Sequence, residues 1–185
     1  MKKIIFILTL ILGLFNFKVF AQSRQSHGGN LNIGVGLGYY GYIGHPATAL
    51  TLNYEFDAAK NFTLAPFIGF YSYSKNYYWG NKNYPDRYYR YREIAVPIGL
   101  KGAYYFDNAL DAGSKWDFYA AASLGFTFHR VTWETGYYGD QNIIREASPL
   151  FLAGHIGTRY HFTPKAGIFL DLSTGLSTVG LSLKL

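Results

Sequence analysis

A strict alternation of large apolar residues with small ones constrains the fold of this chain more than any other feature. Residues 30–40, NLNIGVGLGYY, place Leu, Ile, Val, Leu and Tyr at every second position, with Asn or Gly between them. Side chains of a β-strand point alternately to its two faces, so this pattern predicts a strand with one apolar face. Eight such strands are predicted, at residues 30–40, 49–56, 62–73, 93–106, 116–128, 150–162, 165–173 and 178–185.

The second face of these strands carries mainly Gly, Ala, Ser and Thr rather than the Lys and Glu of a soluble sheet. Charged residues make up only 15% of the chain, against about 25% in ordinary soluble domains. Small residues fit the crowded interior of a narrow barrel, and the large apolar face fits lipid. We therefore predict an all-β fold, an eight-stranded antiparallel up-and-down transmembrane β-barrel in the outer membrane of a Gram-negative cell.

The predicted links alternate in length around the barrel. Those after the second, fourth and sixth strands are fairly short, whereas those after the third and fifth, residues 74–92 and 129–149, are long. Outer-membrane barrels have short periplasmic turns and longer outer loops, so we expect both termini in the periplasm. The 18 Tyr and 15 Phe concentrate near predicted strand ends, as two interfacial aromatic belts require. The chain has no Cys, so closure of the barrel must supply the stability that disulfides give many exported proteins.

The first 21 residues have the pattern of a secretory signal peptide. Lys2 and Lys3 precede an apolar run over residues 4–15, and Ala21 provides a small residue before a cleavage point ahead of Gln22. The alternative, an uncleaved membrane anchor, needs about 20 consecutive apolar residues, and this run is shorter. We predict a cleaved segment at 1–21 and a barrel domain at 22–185.

Three stretches resemble a known family: REIAVPIGLKGAYYF (92–106), FYAAASLGFTF (118–128) and TVGLSLKL (178–185). They are similar to the small outer-membrane β-barrels that include OmpA-like and OmpX-like eight-stranded proteins and the Bacteroidetes barrel-domain proteins. The last stretch resembles the C-terminal signal that the outer-membrane assembly machinery reads, with Thr178, Gly180, Leu183 and Leu185 in the signal positions. The family usually ends in Phe or Tyr, whereas this chain ends in Leu. The resemblance implies fold and location, but this barrel hosts adhesins, structural anchors and enzymes alike.

Charged residues on the predicted inner face define a candidate lumen network of Glu93, Lys101, Arg159 and Asp171, with Glu55, Asp117 and His155 on the same face. The interior of an eight-stranded barrel is just filled by its side chains. We therefore expect opposite charges to pair across the lumen and plug it, with Glu93 or Asp171 near the outer end and Lys101 and Arg159 deeper. The alternative is a polar conduit, which would make the protein a narrow, porin-like channel for small solutes.

The stretch KNYYWGNKNYPDRYYRYR, residues 75–92, combines six Tyr and one Trp with five basic residues and one acid. Interleaved cations and aromatic rings are typical of single-stranded nucleic-acid binders. Loss of the signal peptide lowers the formal net charge from +6 to +3, and this stretch alone carries +4. No second basic element therefore completes a binding groove, and we predict a cell-surface role instead of nucleic-acid binding.

Two roles are predicted within this stretch. Rings at the membrane rim sit at headgroup level while neighbouring cations reach glycolipid phosphates, the role predicted for Tyr88, Tyr89, Arg90, Tyr91 and Arg92. Rings farther from the membrane are a candidate binding loop for an unidentified surface ligand such as a glycan, the role predicted for Tyr77, Tyr78, Trp79 and Tyr84.

Signals for catalysis are weak. A rim site could be assembled from His45 or His129 with Glu134, Asp140 and Ser148, but loops of this length contain such residues by chance. The His residues lack metal-ligand spacing, and no metal or other cofactor is predicted. We predict a monomeric, non-enzymatic protein that contacts outer-membrane lipids and lipopolysaccharide and acts as a structural element or a surface binding and adhesion module. A lipid-modifying enzyme, such as a lipid A acyltransferase or deacylase, is the remaining alternative.

Overall fold

The computed structural model describes residues 26–39, 46–141 and 149–185. Eight strands and one short helix occur there: β1 Asn30–Tyr39, β2 Pro46–Ala59, β3 Phe62–Asn81, β4 Tyr84–Tyr105, α1 Asp107–Leu110, β5 Trp116–Trp133, β6 Leu150–Thr163, β7 Ala166–Ser173 and β8 Leu176–Lys184. Each strand pairs antiparallel with the next, and β8 pairs with β1, so the sheet closes into a barrel. The predicted fold class is confirmed. The predicted signal peptide lies outside the described residues.

Within the described part of the chain, no helix is long and apolar enough to cross a membrane.

Strands β3 and β4 are much longer than the sequence pattern predicts. The segment 74–92, predicted as an outer loop, is the end of a β-hairpin in which Tyr77 pairs with Tyr89 and Tyr78 with Tyr88. The side chain of Asn81 closes the turn by accepting the backbone N–H of Tyr84 at 3.0 Å. Tyr has a high strand propensity, and continued pairing satisfies backbone groups that a loop would leave to water. We call the part of this hairpin at residues 74–92 the aromatic hairpin.

Strand β5 also runs past its predicted end at residue 128, as far as Trp133, which pairs with Tyr91 of β4. At its base, the aromatic hairpin is therefore part of a three-stranded sheet formed by β3, β4 and β5. Eight residues of β3, 74–81, project beyond the shorter strands by about 25 Å along the strand direction.

The two ends of the barrel differ. At the turn end lie the short links between β2 and β3, β4 and β5, and β6 and β7, together with the start of β1 and the end of β8, where Asn30 pairs with Lys184. At the opposite end, the hairpin end, lies the aromatic hairpin.

The outer surface carries a continuous apolar belt to which all eight strands contribute. Its members are large side chains that are more than a third exposed: Ile33, Val35, Leu37, Leu50, Leu52, Tyr54, Phe56, Ile68, Phe70, Ile98, Leu100, Tyr104, Leu124, Phe126, Phe128, Leu150, Leu152, Ile156, Phe162, Ile168, Leu170, Leu172, Val179, Leu181 and Leu183. Soluble monomers rarely expose an apolar patch of this extent, whereas a lipid-facing barrel surface requires one.

Small residues on the inner face make room for buried aromatic rings. A Cβ at Gly38 would lie 1.6 Å from the ring of Tyr71, and a Cβ at Gly157 would lie 2.3 Å from the ring of Tyr119. Tyr71 belongs to an apolar cluster in the half of the lumen nearer the hairpin end, formed by Ala47, Ala49, Tyr71, Ala95, Phe151, Ala153 and Leu176. The alternation of large and small residues thus lets the narrow interior fill completely.

Candidate functional sites in the lumen and on the aromatic hairpin

Arg159 is the centre of an ion network at the turn end of the lumen. Its side chain is 2% exposed. The guanidinium donates to Glu55, to the Tyr105 hydroxyl at 3.2 Å and to Asp117 at 3.3 Å. Glu55 also accepts hydrogen bonds from Tyr105 and, at 2.5 Å, from Thr63. A buried cation is tolerated only when it is paired and hydrogen-bonded, and this one has several acceptors.

A short segment before β1 covers the turn end of the lumen. His27 is 3% exposed, and the backbone N–H groups of His27 and Gly28 donate to Asp57 at 3.2 and 2.8 Å. The Nε2 atom of His27 lies 2.8 Å from Asp107 at the start of α1, and its carbonyl accepts from Arg159 at 3.3 Å. We call residues 26–29 the N-terminal cap.

Burial is the largest influence on the pKa values of His27 and Asp107. It lowers the pKa of His27 below the ordinary value, although Asp117 and Asp107 act in the opposite direction. It raises the pKa of Asp107, although the backbone N–H of Phe118 acts in the opposite direction. Burial therefore favours the uncharged form of each of these two groups.

Sequence reasoning missed the N-terminal cap and its partners. Residues 22–29 have no strand alternation, and Asp107 lies in a link between strands, so no local pattern marked them. Only the turn that follows β4 brings Asp107 beside His27, 80 positions apart in the chain.

A second polar layer lies nearer the middle of the barrel and is centred on Asp171. Its carboxylate pairs with Lys101, lies 2.7 Å from Nδ1 of His155 and accepts from the Tyr119 hydroxyl at 2.9 Å. The Lys101 ammonium also lies 4.7 Å from the centre of the Tyr119 ring. Toward the hairpin end, Glu93 lies 3.4 Å from Nε2 of His129.

The four residues of the predicted lumen network are thus all inside the barrel, but they do not form one cluster. Lys101 pairs with Asp171 at the same depth, whereas Arg159 contacts Glu55 and Asp117 and forms no pair with Glu93 or Asp171. The expected pairing of Arg159 is therefore wrong. The register places Asp117 directly opposite Arg159 on the neighbouring strand, which the sequence pattern of single strands does not reveal.

A small cavity lies between these layers. It is lined by Lys101, Tyr119, Arg159 and other residues and has about 10 Å³, roughly the space that one water molecule needs.

The order of contacts from Asp171 through His155 to Ser123 is that of a hydrolase triad. Nε2 of His155 lies 2.8 Å from the Ser123 hydroxyl, and Nδ1 faces Asp171. Ser123 is buried, however, and lies opposite Ala153, a member of the apolar cluster that fills the next layer. A substrate carbonyl could reach this buried hydroxyl only if neighbouring side chains moved.

The three described rim residues that were suggested for catalysis, His129, Glu134 and Asp140, make separate contacts. His129 faces Glu93 within the lumen, and Glu134 accepts the backbone N–H of Arg90 at 2.9 Å. The carbonyl of Asp140 accepts the Tyr137 hydroxyl at 3.0 Å. His45 and Ser148 lie outside the described residues.

The inner face of the aromatic hairpin is packed by the segment that follows β5. The ring of Tyr137 stacks on Trp133 with centroids 4.1 Å apart, and meets Trp79 at 5.2 Å and Tyr89 at 5.3 Å. Tyr77 joins the same cluster through Trp133 and Tyr137. Tyr89 and Tyr91 are only 1% and 8% exposed. Their predicted place at the lipid headgroups is therefore wrong, because strand alternation turns them inward while Tyr88 turns outward.

The outer face of the hairpin is open. Tyr78 and Tyr88 are 56% and 66% exposed, and their rings meet edge-on at 5.1 Å. Arg90 and Arg92 follow Tyr88 on the same face, and Arg130 lies beside them on β5, where it pairs in register with Ile94. We call the side chains of Tyr78, Tyr88, Arg90, Arg92 and Arg130 the outer basic patch.

The four predicted ligand-binding aromatics are consequently divided between surfaces. Tyr78 belongs to the outer basic patch, whereas Tyr77 and Trp79 belong to the inner cluster. Tyr84, at the turn, stacks on Tyr138 with centroids 4.6 Å apart.

The four residues of the predicted C-terminal signal lie on β8 and directly after it. Thr178 is buried on the inner face, whereas Leu183 faces outward at the turn end. A Cβ at Gly180 would lie 2.0 Å from the carbonyl oxygen of Ile33 on β1. The backbone N–H of Leu185 donates to Gly29 at 2.9 Å, which ties the chain end to the N-terminal cap. Recognition by the assembly machinery stays a prediction.

No protein-family model matches this chain, and no curated protein matches it. Among solved structures, it is similar to a de novo designed transmembrane β-barrel, with 11% identity and a TM-score of 0.47 over 90% of this chain and all of that one. It is also similar to the Yersinia pestis outer membrane protein Ail, with 12% identity and a TM-score of 0.41 over 84% of this chain and 97% of that one. The fold itself is shown by the closed strand order of the chain.

Proposed function

We propose that this protein is an integral outer-membrane barrel with a closed lumen that acts at the cell surface through its aromatic hairpin, without catalysis. The observation that carries the proposal is the hairpin itself, whose inner face is packed while its outer face presents rings and cations above the apolar belt. In this arrangement the turn end, with both termini of the barrel, faces the periplasm and the hairpin end faces outward.

The apolar belt supports membrane insertion, because its exposure to water would be strongly unfavourable. A folded barrel in detergent resists unfolding by a gel sample buffer until it is boiled. We expect unboiled and boiled samples to migrate differently, and the protein to fractionate with the outer membrane. Identical migration together with recovery from the soluble periplasm would refute the proposal.

The filled lumen supports a structural or binding role over the channel alternative. Three charged layers and an apolar cluster occupy the interior, with room for about one water in the cavity between them. Purified protein in planar bilayers should therefore give no unitary conductance steps. Steady steps of uniform size would favour the channel.

The outer basic patch supports an anionic glycolipid, such as lipopolysaccharide, as the surface partner. Arg130 lies two positions beyond the outward-facing Phe128 on β5, and Arg92 and Arg90 follow on the same face of β4, toward the hairpin tip. With the hairpin end outward, these guanidinium groups would be near the glycolipid phosphates. Guanidinium groups bind phosphate through paired hydrogen bonds, and the exposed rings of Tyr78 and Tyr88 offer stacking faces for sugars.

This partner can be tested with two variants of equal charge change. The variant with Arg90, Arg92 and Arg130 replaced by Ser should bind lipopolysaccharide on the order of 100-fold more weakly, since each of the three cations near an anionic surface contributes about 1 kcal/mol. Lys60, Lys115 and Lys165, all exposed at the turn end, replaced by Ser should leave binding unchanged. Equal loss in both variants, or no loss in the first, would show that the patch is not the binding surface. Dephosphorylated lipopolysaccharide distinguishes phosphate from sugar recognition.

Catalysis is the second candidate, and the arrangement of Ser123, His155 and Asp171 is the observation that favours it. An activated Ser reacts with a fluorophosphonate probe, and the Ser123→Ala variant would abolish that labelling. We expect no labelling of the folded barrel, because Ser123 is only 2% exposed. Labelling that depends on Ser123 would replace our proposal with an acyl-transfer or hydrolytic function.

A further inference from the structure

Three side chains at the turn end place metal-ligating atoms together. Nε2 of His27 and one carboxylate oxygen each of Asp107 and Asp117 all lie within 4.8 Å of one another. They come from three separate segments, the N-terminal cap, α1 and the start of β5, and all three are buried. The tertiary structure therefore brings one imidazole and two carboxylates together inside the lumen at the turn end.

The charges around this point do not balance. Asp57, Asp107 and Asp117 surround His27, and the cation that faces it is Arg159, which is shared with Glu55. Buried negative charge that lacks a counterion is costly, so a bound cation would stabilise this end of the barrel.

The donor set and its surroundings suit one class of ion. An imidazole with two carboxylates favours a transition metal such as Zn²⁺ over Ca²⁺ or Mg²⁺, which take oxygen ligands. His161 lies 2.7 Å from Asp117 and supports that carboxylate from outside the ligand set. Among the residues that the structure describes, Nδ1 of His27 has no hydrogen-bond partner, so the ring can adjust its position without breaking a second bond.

We propose that His27, Asp107 and Asp117 form a binding site for a divalent transition metal, with Zn²⁺ as the fitting ion, which fastens the N-terminal cap to the barrel. Tetrahedral zinc at about 2.1 Å from its ligands holds donor atoms about 3.4 Å apart. The 2.8 Å contact between His27 and Asp107 would widen slightly, and Asp117 would approach. Arg159 would keep Glu55 and Tyr105 as partners when the metal takes its place on Asp117.

The test is calorimetric titration of Zn²⁺ into the tag-free chain, refolded in a detergent without chelating groups. Before the titration, the protein is treated with a chelator, and the chelator is then removed. We expect one equivalent of Zn²⁺ per barrel. His27→Gln and Asp107→Asn should each weaken binding by at least about 10-fold, since each removes a ligand. Asn at 107 can still accept the Phe118 N–H that Asp107 now binds at 2.5 Å, which favours correct folding.

His129→Gln is the matched control, because His129 is also paired with a carboxylate but lies toward the hairpin end. Its affinity for Zn²⁺ should equal that of the unaltered chain. A second readout uses the unaltered chain alone: Zn²⁺ should slow proteolysis before β1, and a chelator should restore the rate. Absence of stoichiometric binding, unchanged affinity in both site variants, or equal loss in the control would overturn the site. None of these measurements depends on the surface partner.

Discussion

The strongest energetic prediction concerns replacement of Arg159 by Met, which keeps much of the side-chain volume and removes the cation. Arg159 donates to Glu55, Tyr105 and Asp117 and is almost fully buried. Without it, the hydrogen-bond donors that Glu55 keeps among the described residues are neutral, namely the hydroxyls of Thr63 and Tyr105 and, at 3.4 Å, the amide of Asn32. Asp117 keeps His161. Breaking a buried ion pair on one side leaves an uncompensated charge, so the free energy of unfolding should fall by about 3–5 kcal/mol.

A second substitution separates lost charge pairing from lost packing. Glu55→Gln in the Arg159→Met background removes the uncompensated carboxylate, so the double variant should regain about 2 kcal/mol relative to Arg159→Met alone. A packing defect would show no such recovery. Arg130→Met, an exposed change from the same residue type, should cost less than about 0.5 kcal/mol.

The measurement is urea unfolding at equilibrium in detergent or lipid vesicles, followed by the fluorescence of the three Trp residues. A loss below about 1 kcal/mol for Arg159→Met would contradict the reasoning, since it would mean that water or movement relieves the charge. Strict additivity of the Arg159 and Glu55 changes would contradict it as well, because contacting residues should couple.

Three further outcomes are expected. Gly38→Val should reduce the heat-resistant folded fraction on detergent gels, because even a Cβ at this position would overlap the Tyr71 ring. Gly113→Val should reduce that fraction less, because a Cβ at Gly113 would meet no neighbouring atom and only the positive φ opposes the change. Tyr137→Ala should speed protease cleavage within residues 74–92 without changing the heat-resistant migration of the barrel, because Tyr137 covers only the hairpin's inner face. Replacement of residues 76–90 by a two-residue Asn-Gly turn should leave a folded barrel with weakened glycolipid binding, because Arg92 and Arg130 remain while the rest of the outer basic patch is removed. Failure of this variant to fold would show that the hairpin stabilises the barrel.

The fold was predictable because the period-two alternation is local and strong. In β1, Ile33 and Val35 face outward while Asn32 and Gly34 face inward, as their sequence positions require. Strand ends were less predictable where both faces carry Tyr and Arg, as in 74–92. There the alternation has no apolar side, so strand and loop look alike in sequence, and Tyr89 and Tyr91 were placed on the wrong surface.

The candidate sites were predictable only in part, for a related reason. The inner-face position of Lys101 follows from strand alternation, but its pairing with Asp171 joins residues 70 positions apart. Asp107 and His27 lie outside any strand, so no periodicity could assign them a partner.

By itself the sequence determined the number of strands, the face of the side chains in the alternating segments and therefore the closed barrel with an apolar exterior, because these depend on neighbours two positions apart. Only the tertiary structure decided which charges meet. Closure of β1 against β8 and the stagger of the strands set the depth of each inward side chain. That depth pairs Arg159 with Glu55 and Glu93 with His129. The segment before β1 and the link after β4 then bring His27 and Asp107 close to Asp117.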